Sequence, residues 1–112
     1  MTDMAARQGM TVEQLRQRRE DILRVAAAHG ASNLRVFGSV ARATAHSASD
    51  VDMLVDIATD ADGFAYFGVL EELRHALENL LGCAVDVVEL RGPFSPRGQR
   101  MADRIRREAV TL

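Results

Sequence analysis

At 112 residues, with 47% hydrophobic and 27% charged side chains, the sequence has the length and make-up of one ordinary globular domain and excludes two independent cores. A net charge of -2 argues against a general nucleic-acid binder, which needs a strongly basic surface to displace counterions. All 14 basic residues are Arg, so mechanisms built on a lysine nucleophile, a Schiff base or a P-loop lysine are excluded. The charge is divided: residues 91–112 hold six Arg against Asp103 and Glu108, a balance of +4, which leaves -6 on residues 1–90.

Residues 1–10 show no period and are expected to be flexible, leaving 11–112 as a single domain. A first helix is predicted from Thr11, where Thr11 and Gln14 have capping-box spacing. Val12, Leu15, Ile22, Val25 and Ala26 then recur at helical intervals until Gly30, with Arg16, Arg19, Glu20 and Arg24 on the solvated side. A short strand, Asn33 to Phe37, runs into Gly38 and Ser39. After a polar stretch, Val51, Met53, Val55 and Ile57 alternate with Asp50, Asp52, Leu54 and Asp56 in the two-residue period of a strand. Phe64 to Leu81 is predicted as a second long helix with Phe67, Leu70, Leu73, Leu77 and Leu80 inward, stopped by Gly82. Ala84 to Leu90 is a third strand. Gly92 to Pro96 forms a loop, and Met101, Ala102, Ile105 and Ala109 line the apolar face of a last helix. The predicted fold is therefore α+β, a small mixed sheet covered by helices mainly on one face. The link between the first two strands is too short for a crossover helix, though Val40 to Ala43 has room for one turn.

Chemistry concentrates on three carboxylates. Asp50 and Asp52 leave one face of a predicted strand with Cα atoms about 7 Å apart. Two like charges so close repel and raise each other's proton affinity unless a cation stands between them, as a hard divalent ion with oxygen ligands does. Asp86 repeats the pattern on the third strand among Val85, Val87 and Val88, where a carboxylate is costly without a cation or donors. Alternating acids are more often the wet face of an edge strand, and Asp56, Asp60 and Asp62 are read that way. What separates Asp50 and Asp52 is their relation to Gly38-Ser39, where a glycine at a strand end lets backbone amides approach a phosphate and the serine hydroxyl adds a donor.

Gly38-Ser39-Val40-Ala41-Arg42, followed by Ser49-Asp50-Val51-Asp52-Met53-Leu54-Val55, resembles the signature of the DNA polymerase beta-like nucleotidyltransferase superfamily, and within it the minimal nucleotidyltransferase (MNT) domain. The family pairs a Gly-Ser turn with an acidic-apolar-acidic strand about ten residues on, has a third acid where Asp86 stands, and often ends in a stretch like Glu108-Ala109-Val110. One departure is Ala43, where many relatives carry glycine. The resemblance implies transfer of AMP from ATP to a hydroxyl, with two magnesium ions held by Asp50, Asp52 and Asp86. It places Gly38 and Ser39 on the β and γ phosphates, with Arg42 as a charge clamp. On spacing alone, Arg42 is equally a solvent-facing residue of a one-turn helix.

The resemblance also implies the partner: a HEPN-domain ribonuclease toxin whose tyrosine accepts the AMP, this chain acting as its antitoxin. A non-catalytic antitoxin that neutralises by binding alone is the competing reading. Homo- or hetero-oligomerisation stays open. No direct nucleic-acid binding is expected. Arg97, Arg100, Arg104 and Arg107 share one side of the last helix, a row that is ordinarily solvated and alternatively a docking surface for an acidic partner. His29, His46 and His75 read as surface groups. Cys83, alone, forms neither a disulfide nor a zinc site. The N-terminus lacks a signal-peptide pattern and no apolar run reaches the roughly 18 residues of a membrane span, so a cytoplasmic protein without a membrane segment is expected.

Overall fold

Four strands and five helices make up residues 9–112, the part of the chain that the computed structural model describes. The expected flexible lead, residues 1–10, falls outside the described residues up to residue 8. Gly9 N–H donates to the Ala45 carbonyl at 3.2 Å, and Met10 packs on the core. Thr11 caps the first helix, α1 (Val12–Gln17), through the expected reciprocal box with Gln14, 3.0 Å in each direction. The predicted single helix is two: α1 ends at Arg18 (φ -107°, ψ 17°), and α2 spans Arg19–Ala28. Arg18 donates to the Leu80 carbonyl at 2.7 Å, so the joint is tied to the end of the long helix.

Strand β1 (Ala31–Phe37) starts two residues earlier than the alternation indicates. Its pairing with β2 (Val51–Ile57) slips by one residue between Ser32 and Arg35, where Asn33 adopts φ 53°. Such a bulge breaks the two-residue period that sequence reading relies on, and asparagine is among the few residues that tolerate the left-handed region. One helical turn, α3 (Gly38–Ala41), follows β1 directly, two residues earlier than the Val40 to Ala43 stretch with room for one. The remaining elements are α4 (Gly63–Leu81), β3 (Val85–Val88), α5 (Pro96–Glu108) and β4 (Val110–Thr111).

The strands lie in the order β3-β2-β1-β4, with β2 parallel to β3 and β1 antiparallel to both β2 and β4. The mixed sheet is thus confirmed. β4 has no counterpart in the sequence reading because two residues cannot display a period. Leu112 beyond it is buried, and its N–H reaches the Leu34 carbonyl at 3.2 Å.

Helices α2 and α4 pack on one face of the sheet, where Leu15, Ile22, Val36, Met53, Val55, Leu73 and Leu77 are fully buried. Burial of such side chains is the main favourable term, about 1.5–3 kcal/mol for each Val, Leu or Met. In α4 the inward row is Leu73, Leu77 and Leu81, and Phe67, expected inside, is 61% exposed. Projected at 100° per residue, Tyr66 rather than Phe67 falls on that row. Tyr66 hydrogen-bonds Glu89, and Arg91 stacks 4.6 Å from its ring centre. Met101 of α5 is likewise exposed, because Ala102 takes the inward position.

Ala43 adopts φ 61° just after α3. A Cβ there is strained, and the glycine common in relatives would not be. Ala43→Gly is therefore expected to stabilise the fold by about 0.5–1 kcal/mol, relief of strain outweighing the extra freedom of the unfolded chain. A rise of a few degrees in Tm checks this, and a fall would refute it.

Candidate active site

The second face of the sheet carries the acids. Asp52 in β2 stands opposite Asp86 in β3 and opposite Phe37 in β1, the residue before Gly38. In a parallel pair, residues in register project to the same side from strands about 4.8 Å apart, so the two carboxylates are neighbours on one face. That register is pinned locally. Val51 N–H donates to the Ala84 carbonyl at 2.9 Å, and Val85 N–H to Glu78 at the end of α4 at 3.0 Å. Farther along the same face Asp56 is paired with Arg35 at 3.2 Å and with Asn33 at 3.0 Å, the surface role read from sequence.

Asp50 lies one residue before β2, exposed, rather than within the strand. Ser49 and His46 close the turn that leads into it: His46 N–H donates to the Ser49 hydroxyl at 3.0 Å and Ser49 N–H to the His46 carbonyl at 2.9 Å. Both residues therefore shape the loop.

Gly38 has φ 71°, and a Cβ there would overlap the Asp52 carboxylate, coming within 3.0 Å of its Cγ. The close approach of a backbone to an acid explains the glycine better than turn geometry alone. Ser39 follows as the second residue of α3, half-buried, and Val40 dips into the core to anchor the turn. Arg42, half-exposed at the end of α3, forms an ion pair with Glu108 at 2.9 Å. Its charge lies near enough to Asp52 to favour the ionised carboxylate, while half of the side chain stays open to solvent.

The net effect on Asp52 is opposite. Burial pushes its carboxyl above the usual range, and the charges of Asp86 and then Asp50 push it further. A half-buried carboxylate surrounded by like charge needs a cation. No three His, Cys, Asp or Glu side chains among the described residues converge tightly enough to cage a metal by themselves. Magnesium is ordinarily held by one or two carboxylates and completes its octahedron with water and substrate phosphate. Asp52 and Asp86 fit that donor set, with Asp50 at its margin.

Glu108 carries no role in the sequence reading beyond its place in a family-like ending. It is one of two acids in the basic segment 91–112, and that isolation is the signal that marks it. The structure brings it 70 residues back along the chain to Gly38, whose N–H donates to it at 2.7 Å. That amide bond and, against its own burial, the Arg42 guanidinium hold its carboxyl below the usual range. Arg97, Arg100, Arg104 and Arg107 are all exposed. Among the described residues no helix is long and apolar enough to cross a membrane.

A glycine turn packed against Asp52, with Asp86 in register on the next strand, is an arrangement with the donor types that a divalent ion and a phosphate call for. Residues 12–110 match the family model described as a nucleotidyltransferase domain, and the chain belongs to that family. It is a nucleotidyltransferase by family and fold. A solved structure described as a minimal nucleotidyltransferase is 43% identical to it, with 92% of this chain and 97% of that one covered and a TM-score of 0.72. Two toxin-antitoxin structures share the fold at lower identity. One, described as a complex with AMP-PNP, is 22% identical over 82% of this chain and 69% of that one, TM-score 0.64. The other, a mutant of the toxin-antitoxin pair MntA-HpeT, is 21% identical over 84% and 69%, TM-score 0.59. No curated protein matches the sequence.

Proposed function

We propose that this chain transfers AMP from ATP to a tyrosine hydroxyl of a HEPN-domain ribonuclease toxin and so acts as that toxin's antitoxin. The reading rests most on one observation, the register that sets Asp52 beside Asp86 at the Gly38 turn. It is supported by the nucleotidyltransferase family and by the fold shared with toxin-antitoxin proteins, one of them in complex with an ATP analogue.

In the proposed reaction the acceptor oxygen forms a bond to the α-phosphorus as the α–β bridging bond breaks and pyrophosphate leaves. Asp50, Asp52 and Asp86 are the residues that would hold magnesium. Bound there, two such ions would activate the acceptor oxygen and stabilise the charge of the departing pyrophosphate. Asp86 would orient the acceptor hydroxyl and take up its proton. Ser39 and the α3 turn would hold the β and γ phosphates, with Arg42 adding charge.

Co-expression with a HEPN partner and magnesium-ATP tests the proposal by mass spectrometry. The expected result is a partner that gains AMP on a tyrosine with the wild-type chain, and none with Asp52→Asn although the complex still forms. Equal toxin neutralisation by that variant would overturn the catalytic reading in favour of binding alone.

A further inference from the structure

We propose that Glu108 is the positioning residue of the nucleotide site, a strut that aims Arg42 and sets the Gly38 turn against Asp52. The inference rests on the transferase reading above and adds a residue to it.

One oxygen of Glu108 does two things. It accepts from the Gly38 amide at 2.7 Å and from Arg42 Nη1 at 2.9 Å. The first bond holds the backbone at the point where a single added carbon would collide with Asp52. The second holds a guanidinium that carries five N–H donors and, among the described residues, gives only one of them to another side chain. Arg42 is half-exposed, whereas the Glu108 side chain is only 19% exposed. The carboxylate is therefore the fixed end of the pair and the guanidinium the presented end. Its remaining donors are available in the fork geometry that suits a phosphate.

Glu108 is the last residue of α5, separated from β4 by Ala109 alone, and β4 pairs with β1 through Val110–Val36 and Thr111–Arg35. The strut is thus tied, through β4, to the strand that ends at the Gly38 turn. A charged group whose position is set by packing, and which orients a binding group by hydrogen bonds, acts as the outer partners of metal ligands do. Losing such a partner commonly costs about 10- to 100-fold in affinity or activity.

Calorimetric titration of magnesium–AMP-PNP into the wild type, Glu108→Gln, Arg42→Ala and the double variant tests this. Gln keeps an acceptor for the Gly38 amide and removes the charge that holds Arg42. Expected are a loss of about tenfold for each single variant and a double variant no weaker than Arg42→Ala alone, because an unheld Arg42 contributes little. A purely structural residue would instead add its full loss to that of Arg42→Ala, and this result would overturn the proposal. Wild-type affinity in Glu108→Gln would overturn it too. Glu108→Asp, which keeps the charge but shortens the reach, provides a second variant if Gln does not fold, with the same expectation of loss without additivity. Failure of the wild-type chain to take up the nucleotide at all would instead bring down the transferase reading, with this inference among its consequences.

Discussion

Asp52→Asn is expected to lower nucleotidyl transfer by about 10³-fold or more, since a metal-held charge at the transferring phosphate is worth several kcal/mol and about 4 kcal/mol corresponds to that factor. The same substitution should leave the fold intact and at neutral pH slightly more stable. The sign follows from the carboxyl's raised proton affinity, caused first by burial and then by Asp86 and Asp50. A group whose folded pKa exceeds its unfolded value contributes stability when protonated, and that contribution is lost as pH rises through the folded pKa. At neutral pH the wild type therefore carries an uncompensated charge that Asn lacks, and the difference should shrink toward about pH 4 and below, where an unfolded aspartate also takes up its proton. Magnesium supplies the missing compensation, so millimolar magnesium should raise the wild-type Tm and leave that of Asp52→Asn nearly unchanged. Thermal scans with and without the ion decide this; equal shifts in both proteins would show that Asp52 is not a ligand.

Gly38→Ala has the second largest expected effect, through geometry instead of charge. Its φ of 71° strains any L-residue by about 1–2 kcal/mol. The added methyl must also displace the Asp52 carboxylate, which it would otherwise overlap. We expect a loss of about 2 kcal/mol in stability and at least about 10²-fold in transfer, because a displacement of about 1 Å at a reacting group costs that much. Urea unfolding and a transfer assay check the two separately. A variant with wild-type activity would mean that the Asp52–Gly38 contact is not part of the working site.

Much of the site is legible in the residues themselves. Asp52 and Asp86 can be singled out because a carboxylate amid Val, Met and Leu on a strand is unusual in composition, which is a local property; the burial that decides its cost is not, and the structure half-buries Asp52 while leaving Asp86 exposed. The Gly38 turn is legible for a similar reason, as a glycine ends an apolar strand where little else permits the backbone to turn back. The departures have equally local causes. Apolar residues three apart imply one helix face, which puts Phe67 inside. The stripe is instead centred on Leu73 and Leu77, which leaves Phe67 outside and draws in Tyr66, whose hydroxyl is tied down by Glu89 and whose proton affinity is pushed up to about 12 by burial and that neighbour. The start of β1 is hidden because a bulge at Asn33 interrupts the alternation. In each case the pattern is present in the sequence and its phase is not.

Composition, the two-residue and 3.6-residue periods, and the spacing from Ser39 to Asp50 determined the class of fold, the order of its main elements and the acidic strand beside a glycine turn. These are properties of neighbours in the chain. Tertiary structure alone decided which strands pair, that Asp86 stands in register with Asp52, that residues 110–111 complete the sheet, and that Glu108 reaches back to Gly38 and Arg42. Those contacts join residues 15 to 76 positions apart, and they follow from two demands that no local stretch of sequence can meet: the apolar face of β2 has to be covered, and the backbone N–H and C=O groups along both its edges have to be paired.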